Sequence, residues 1–341
     1  MRRQLLDKLA DPIAHKPLRI EGTDKLRGED GATYPIMGGI PRFVLTEDAG
    51  QTQTSKTFGF KWKKRDTYDS PAAKQAAATW YLEKYNFASL DEWAANFDSR
   101  ESVIDIGSGS GFSSALYLES PRWTGRAMWV GVDISEAIDV AKERLANVAN
   151  CEFVQGDALQ LPFRDGSFDT MFSEGVLHHT PSTRDALVSA ARVLASGGEA
   201  HFYVYKKKAP IREFTDDYVR AQIASLSDED AWDAMRSLTD LGRALADTRA
   251  TVDVKVDVPL LGIKAGKQDV QRLIYWNVAK LFWNESLAFE ENVHINFDWY
   301  RPRYAHRQTE QQVREWCEEA RLTIRRLHDS EAGYTVQAVK R

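Results

Sequence analysis

The chain has 341 residues, 43% of them hydrophobic and 28% charged, with a formal charge of −5. That length exceeds one typical domain, and the slight acidity argues against a surface that coats nucleic acid. Two cysteines, Cys151 and Cys317, are too few for a disulfide framework or a cysteine zinc site, and no apolar run reaches the roughly 20 residues of a membrane span.

Residues 1–45 read as a small unit of their own. Its start, MRRQLLDKLADPIAH, is charged and lacks the apolar centre of a signal peptide, so a soluble, cytoplasmic protein is expected. Pro12, Pro17, Pro35 and Pro41, with the pair Gly38-Gly39, predict short strands and turns here, not helices. Residues 46–100 follow, with QTQTSKTFGFKWKKR and then a helix-like run, AAKQAAATWYLEKYNF. Its basic cluster, Lys61, Lys63, Lys64 and Arg65, reads as a solvated face or as a surface that meets phosphates, and Phe58, Phe60 and Trp62 as covers for a ligand.

Residues 101–208 alternate short apolar runs with helical stretches. SVIDIG precedes GFSSALYLES, and AMWVGVDI precedes SEAIDVAKERLANVA with Ser135 as its expected N-cap. EFVQGD and FDTMFSEG follow, then TRDALVSAARVLASGG, whose paired glycines are expected to end the helix, then the strand EAHFYVYKK. This β-α-β rhythm implies an α/β, Rossmann-like domain with a largely parallel sheet and helices on both faces.

The rhythm breaks over residues 209–305, where FTDDYVRAQIASL, DEDAWDAMRSLTDLGRALAD and DVQRLIYWNVAKLFW look helical and amphipathic and an aromatic stretch, HINFDWYRPRYAHRQT, follows. The rhythm resumes over residues 306–341, with Thr309 and Gln312 as a capping box for a last helix and with LTIRRLHD and GYTVQAVKR as strands. A mainly helical segment placed before the last helix and strands is expected to be a lid on the sheet.

The ligand is read from the strand tips. VIDIGSGSGFSS carries Gly107, Gly109 and Gly111, but the third position of a dinucleotide fingerprint falls on Phe112, so a pyrophosphate does not fit. Asp105 would repel a phosphate and suit an ammonium group. Asp133, 28 residues on, ends the next apolar run and can accept both hydroxyls of a ribose, and Asp157 follows the third run, where an adenine amino group can donate to it. An amine, a ribose diol and an adenine without phosphate describe S-adenosylmethionine.

The sequence resembles the class I S-adenosylmethionine-dependent methyltransferases through VIDIGSGSGFSS, GVDIS, GDALQLPF, FDTMFSEGVLHHT and RVLASGGEAHFYVY, in that order, over about residues 100–205. The resemblance implies a seven-stranded sheet with its last strand antiparallel. It implies cofactor contacts from Asp105, Gly107, Ser108, Gly109, Gly111, Asp133, Ile134, Asp157 and Ala158, with Ser173 and Glu174 facing the reactive methyl end. Glu174, His178 and His179 are the candidate catalytic groups, although adjacent histidines on a short helix point in different directions. The first unit resembles the zinc-ribbon-like segment that precedes some bacterial methyltransferase domains. Asp11, Ala14, Arg27 and Asp30 stand where that segment carries cysteines, so no metal is expected.

The acceptor is read from the lid. Residues 275–307 interleave aromatics with His294, Arg301, Arg303, His306 and Arg307. Trp299, Tyr300, Arg301, Arg303 and His294 are the candidate substrate residues, suited to a small aromatic or anionic molecule if they line a pocket and structural if they form the lid's core. The expected activity is methyl transfer to a small-molecule oxygen, nitrogen or carbon. An RNA or nucleotide methyltransferase, with basic patches at 61–65 and 206–208 flanking one groove, and a non-catalytic cofactor-binding partner module are the alternatives.

Overall fold

The computed structural model of the protein describes residues 1–44 and 48–341, so the expected boundary at 45/46 lies outside the described residues. Arg3–Lys8 is a helix (α1), where only strands and turns were expected: no proline occurs before Pro12, and Leu5 and Leu9, one turn apart, are buried. Four short antiparallel strands follow in spatial order, β1 (Arg19–Glu21), β2 (Lys25–Arg27), β3 (Thr33–Met37) and β4 (Ile40–Pro41).

This unit is fastened to the edge of the main sheet. Phe43 N–H donates to the carbonyl of Gln155 at 2.7 Å, Ala10 N–H to that of Pro162 at 2.9 Å, and Leu9, Leu26, Tyr34 and Phe43 pack in the same apolar cluster as Val130 and Val154. An edge strand that would otherwise present unpaired backbone groups is thereby covered. At the ribbon positions, Asp11 accepts from the backbone N–H groups of Ile13 and Ala14 at 2.9 and 2.8 Å and from the Tyr34 hydroxyl at 2.8 Å. The knuckle is thus drawn around a carboxylate, and Arg27 turns away to Glu21. Tyr34→Phe, which leaves one buried Asp11 oxygen short of a donor, is expected to cost about 1–3 kcal/mol in thermal unfolding. Affinity for S-adenosylhomocysteine is expected to stay unchanged.

Three helices lead into the sheet: α2 (Ala49–Lys63), α3 (Pro71–Tyr85) and α4 (Leu90–Asp98), each capped by a side chain, from Asp48, Ser70 and Ser89 respectively. The α/β core then runs β5 (Ser102–Ile106), α5 (Phe112–Leu118), β6 (Met128–Asp133), α6 (Ala137–Arg144), β7 (Cys151–Gln155), β8 (Phe168–Glu174), α7 (Thr183–Arg192) and β9 (Leu194–Tyr205). Every residue of β5 and β6 is buried, as central parallel strands covered on both faces require.

Two local readings are corrected. Helix α6 begins after Glu136, and Ser135 serves differently, accepting from Ala137 N–H at 3.2 Å and donating to Asp133. Helix α7 ends before Leu194, and Gly197-Gly198 lie inside β9, because the strand starts at once and Gly197 takes φ +80° within it.

The lid comprises α8 (Pro210–Ile223), α9 (Asp228–Asp247), a hairpin of β10 (Thr251–Val254) and β11 (Gly266–Asp269), α10 (Val270–Asn277) and α11 (Phe289–Tyr300). The hairpin was not expected from the sequence, and the first part of the aromatic stretch is helical. The lid leaves and re-enters the core at one point, where Lys206 and Gln308 form a parallel bridge. The chain closes with α12 (Glu310–Glu319), β12 (Leu322–Asp329) and β13 (Gly333–Lys340). The Thr309–Gln312 capping box forms as the sequence predicts. The seven strands lie in the order β12-β13-β9-β8-β5-β6-β7, with β13 antiparallel to both neighbours.

Candidate active site

The chain leaves β5 toward α5 on one side and β6 pairs with β5, while β8 lies on the other side, so the strand order reverses at β5 and a crevice opens beyond the carboxyl ends of these strands. Of the glycine loop, Gly107 borders this crevice, whereas Ser108, Gly109 and Gly111 do not. Gly107, Gly109 and Gly111 all take positive φ (+77°, +53°, +71°), Gly107 N–H donates to Val132 O, and a Cβ on Gly107 would strike the Val176 side chain. At Gly109 a Cβ would come within 2.8 Å of the Trp62 indole nitrogen, so α2 lies directly over the loop.

Helix α2 forms the roof. Gln51, Thr54, Phe58 and Lys61, spaced at helical intervals, line the cleft together with Gly107, Asp133, Ile134, Asp157, Ala158 and Glu174. The inward face of this helix is polar, which is why apolar periodicity did not reveal it. Lys61, read as solvated, is 3% exposed and ion-paired with Asp298 of α11. Lys63 remains on the surface against Glu136, and Phe60 packs in the lid core on Trp232 and Phe297.

The three acidic strand-tip residues differ. Asp133 borders the cleft, with Oδ2 accepting from Gly109 N–H at 2.8 Å and Oδ1 from Ser135 N–H at 2.8 Å and Ser135 Oγ at 2.5 Å. Burial raises its pKa and those hydrogen bonds oppose the rise. Asp157 accepts from Leu159 N–H at 2.9 Å and Gln51 Nε2 at 2.8 Å. Asp105 stands behind the wall: it is 2% exposed, bonded to Ser114, and pushed up to about 7 chiefly by burial. Ser173 is equally withdrawn, donating to Ile106 O at 3.0 Å, and the buried Ser108 hydroxyl has no partner among the described residues.

At the β8 end, Glu174 lines the cleft with both oxygens engaged, one by Lys84 and the other by the Tyr85 hydroxyl at 2.6 Å. Lys84 lies 3.6 Å from the Trp80 ring centroid and 3.8 Å from that of Tyr203, and burial lowers it to about 8 against the pull of Glu174. The two histidines part, as the short helix requires. His178 is fully buried, packs with its ring tilted against that of Tyr205 (centroids 3.7 Å apart), and does not border the cleft. His179 does border it. Its Nδ1 lies 2.6 Å from the Tyr304 carbonyl, which can only accept, so Nδ1 carries the hydrogen and Nε2, unpartnered among the described residues, presents a lone pair. Burial lowers His179 to about 4, leaving it neutral at pH 7.

A second cavity of about 470 Å³ adjoins the first, the two sharing Lys61, Trp62, Trp80, Tyr81, Tyr203, Tyr205 and Asp298. Its aromatic wall comes from α2, α3 and β9 (Trp62, Trp80, Tyr81, Tyr203, Tyr205) as well as from α10, α11 and the segment between them (Tyr275, Trp276, Phe282, Trp299). Of the candidate substrate residues, Trp299 and His294 reach its wall, while Tyr300, Arg301 and Arg303 do not. Tyr300 donates to Asp216, Arg301 is tied to Asp228 and to the carbonyls of Ile223, Ala224 and Leu226, and Arg303 is exposed on another face. Sequence reasoning missed Gln51, Thr54, Trp80, Tyr81, Tyr203, Tyr205 and Asp298. The Trp80-Tyr81 pair in an otherwise alanine-rich helix was the one available signal.

Residues 104–202 match the family described as methyltransferase domain. The core is a class I S-adenosylmethionine-dependent methyltransferase domain. Similar proteins include a fatty-acid O-methyltransferase from Mycolicibacterium smegmatis, 34% identical over 131 residues (38% of this chain, 45% of that protein). They also include a demethylmenaquinone methyltransferase from Lactococcus lactis, 34% identical over 122 residues (33% and 48%). A third is "Probable tRNA methyltransferase 9B" from Mus musculus, 36% identical over 117 residues (33% and 23%). The chain spans less than half the length of these curated relatives. The methyltransferase cleft suits its cofactor on a further count: a buried Thr54 hydroxyl in its wall lacks a partner among the described residues. No helix among the described residues is long and apolar enough to cross a membrane.

Proposed function

We propose that the whole chain transfers a methyl group from S-adenosylmethionine to a small-molecule acceptor held in the aromatic cavity of the lid. The observation that carries this reading is the continuity of the two cavities across Tyr81, Tyr203, Tyr205 and Asp298. Asp133 would take the ribose hydroxyls, Asp157 and Ala158 would flank the adenine, and the glycine loop would lie along the methionine part. The bound cofactor supplies a sulfonium-activated methyl group. The chain's own residues orient the acceptor, with aromatic walls that exclude water.

His179 is the base of this reading, its Nε2 lone pair receiving the acceptor's proton where a hydroxyl or protonated amine is methylated. Glu174, with both oxygens engaged by Lys84 and Tyr85, holds Lys84 in place and is not assigned a proton transfer. The small-molecule choice over RNA is favoured by where the basic residues go: Lys61 to Asp298, Lys206 to Asp329 at 2.5 Å, and Lys208 into the lid cavity. The fatty-acid and menaquinone names of two relatives are consistent with an apolar acceptor.

Calorimetric titration with S-adenosylhomocysteine, with NAD as control, is expected to give micromolar binding of the first and none of the second. A screen with methyl-labelled cofactor is then expected to label small apolar or aromatic acceptors, and His179→Gln to lower kcat with cofactor affinity unchanged. Labelling of RNA alone, with binding that weakens steeply with salt, would reverse the acceptor assignment.

A further inference from the structure

The lid cavity contains cations that its own anions do not neutralise. Of the five basic side chains in its wall, Lys61 is paired with Asp298, and Arg212 is paired with Asp216 at 2.8 Å, an aspartate that also accepts from Trp299 Nε1 and the Tyr300 hydroxyl. Arg272 is exposed at the rim. Lys280 and Lys208 remain. Lys280 is 7% exposed, and its ammonium makes no hydrogen bond or ion pair among the described residues; it lies 4.6 Å from the Trp299 ring centroid. Lys208 donates to the carbonyls of Glu331 and Ala332 and lies 5.9 Å from the same ring centroid. The only other anion in the wall, Glu291, accepts from Ala288 N–H at 2.8 Å and lies about 10 Å from Asp298 along α11.

Resting on the methyltransferase reading above, we propose that the acceptor is an apolar or aromatic monocarboxylate whose acid group is held between Lys280 and Lys208 beside Trp299. A buried ammonium without a partner is costly to keep, and a carboxylate in that position would convert the cost into binding energy. The electrostatics agree. Burial first, then Arg212 and neighbouring lysines, together bring both amines down to about 7, with Asp216 opposing at both and Asp298 opposing at Lys280. Neither lysine borders the cofactor cleft, so the carboxylate is a handle, and the methylated atom lies at the other end of the molecule, toward Tyr81 and Tyr203.

The test is calorimetry with naphthalene-2-carboxylate and its neutral isostere naphthalene-2-carboxamide, with and without S-adenosylhomocysteine. The wild-type protein is expected to bind the carboxylate about tenfold or more tightly than the amide. Lys280→Met is expected to erase that preference and to leave amide and S-adenosylhomocysteine affinity unchanged. Lys208→Met provides an independent second variant and is expected to reduce the preference partly. A carboxylate bound no more tightly than the amide, or a preference that survives both substitutions, overturns the proposal. Failure of S-adenosylhomocysteine to bind would instead strike the methyltransferase reading, because the carboxylate-to-amide ratio is read without it as well.

Discussion

Asp133→Ala is expected to weaken S-adenosylhomocysteine binding by about a hundredfold or more and to lower the melting temperature as well. The first effect follows from removing a carboxylate that would accept two ribose hydroxyls, charge-assisted bonds of about 1.5–3 kcal/mol each. The second follows from the loop geometry: Gly109 N–H, Ser135 N–H and Ser135 Oγ all donate to this carboxylate and would lose their acceptor. Asp133→Asn separates the two. One amide oxygen can still serve the loop, so the melting temperature is expected to fall little while affinity drops at least about tenfold. Wild-type affinity in both variants would remove the ribose assignment and leave Asp133 as a loop brace.

Asp298→Ala is expected to destabilise the protein by about 3 kcal/mol, near the low end of the range for breaking a buried ion pair. Its partner Lys61 has a side chain only 4% exposed, so the variant strands a buried ammonium, whereas the Asp298 side chain is 27% exposed. Lys61→Met is accordingly expected to cost less, and the double variant less than the sum of the two, since both act on one contact between α2 and α11. Burial alone would raise Asp298 above its ordinary 3.8, but Lys61, His179 and Lys280 outweigh it and hold the carboxyl well below that value. With the folded value depressed, the stabilisation is complete above the unfolded pKa and is lost as pH falls through the folded one. The wild-type melting temperature should therefore decline on acidification below about pH 4, and the Asp298→Ala profile should be flatter there. Equal acid profiles would show that the pair contributes nothing to stability.

The α/β core was legible because its signals are local. Each strand tip that the sequence reading chose by an acidic or glycine residue ends at one edge of the sheet, since parallel strands joined by right-handed crossovers must all point one way. The Thr309 capping box was legible for the same reason, being a four-residue device. Asp105 shows the limit. It sits at a strand tip as expected, but the pleat turns it toward Ser114 and away from the cleft.

The lid was legible only as an insertion. Its arginines looked like ligands for an anion, but Arg301 is consumed by Asp228 and three carbonyls from a loop more than seventy residues earlier, a pairing no local pattern announces. Of the lysines that face the cavity, Lys208 was read only as part of a basic patch at 206–208, and Lys280 stands alone in an apolar run.

What the sequence by itself determined was the order of the sheet-forming segments, the cofactor class and the presence of a mainly helical insertion, because backbone propensity, turn chemistry and strand-tip charge act over a few residues. The tertiary structure decided which charges are spent within the fold and which remain for a ligand, because ion pairing depends on distance in space and Lys61 finds Asp298 across 237 residues of chain.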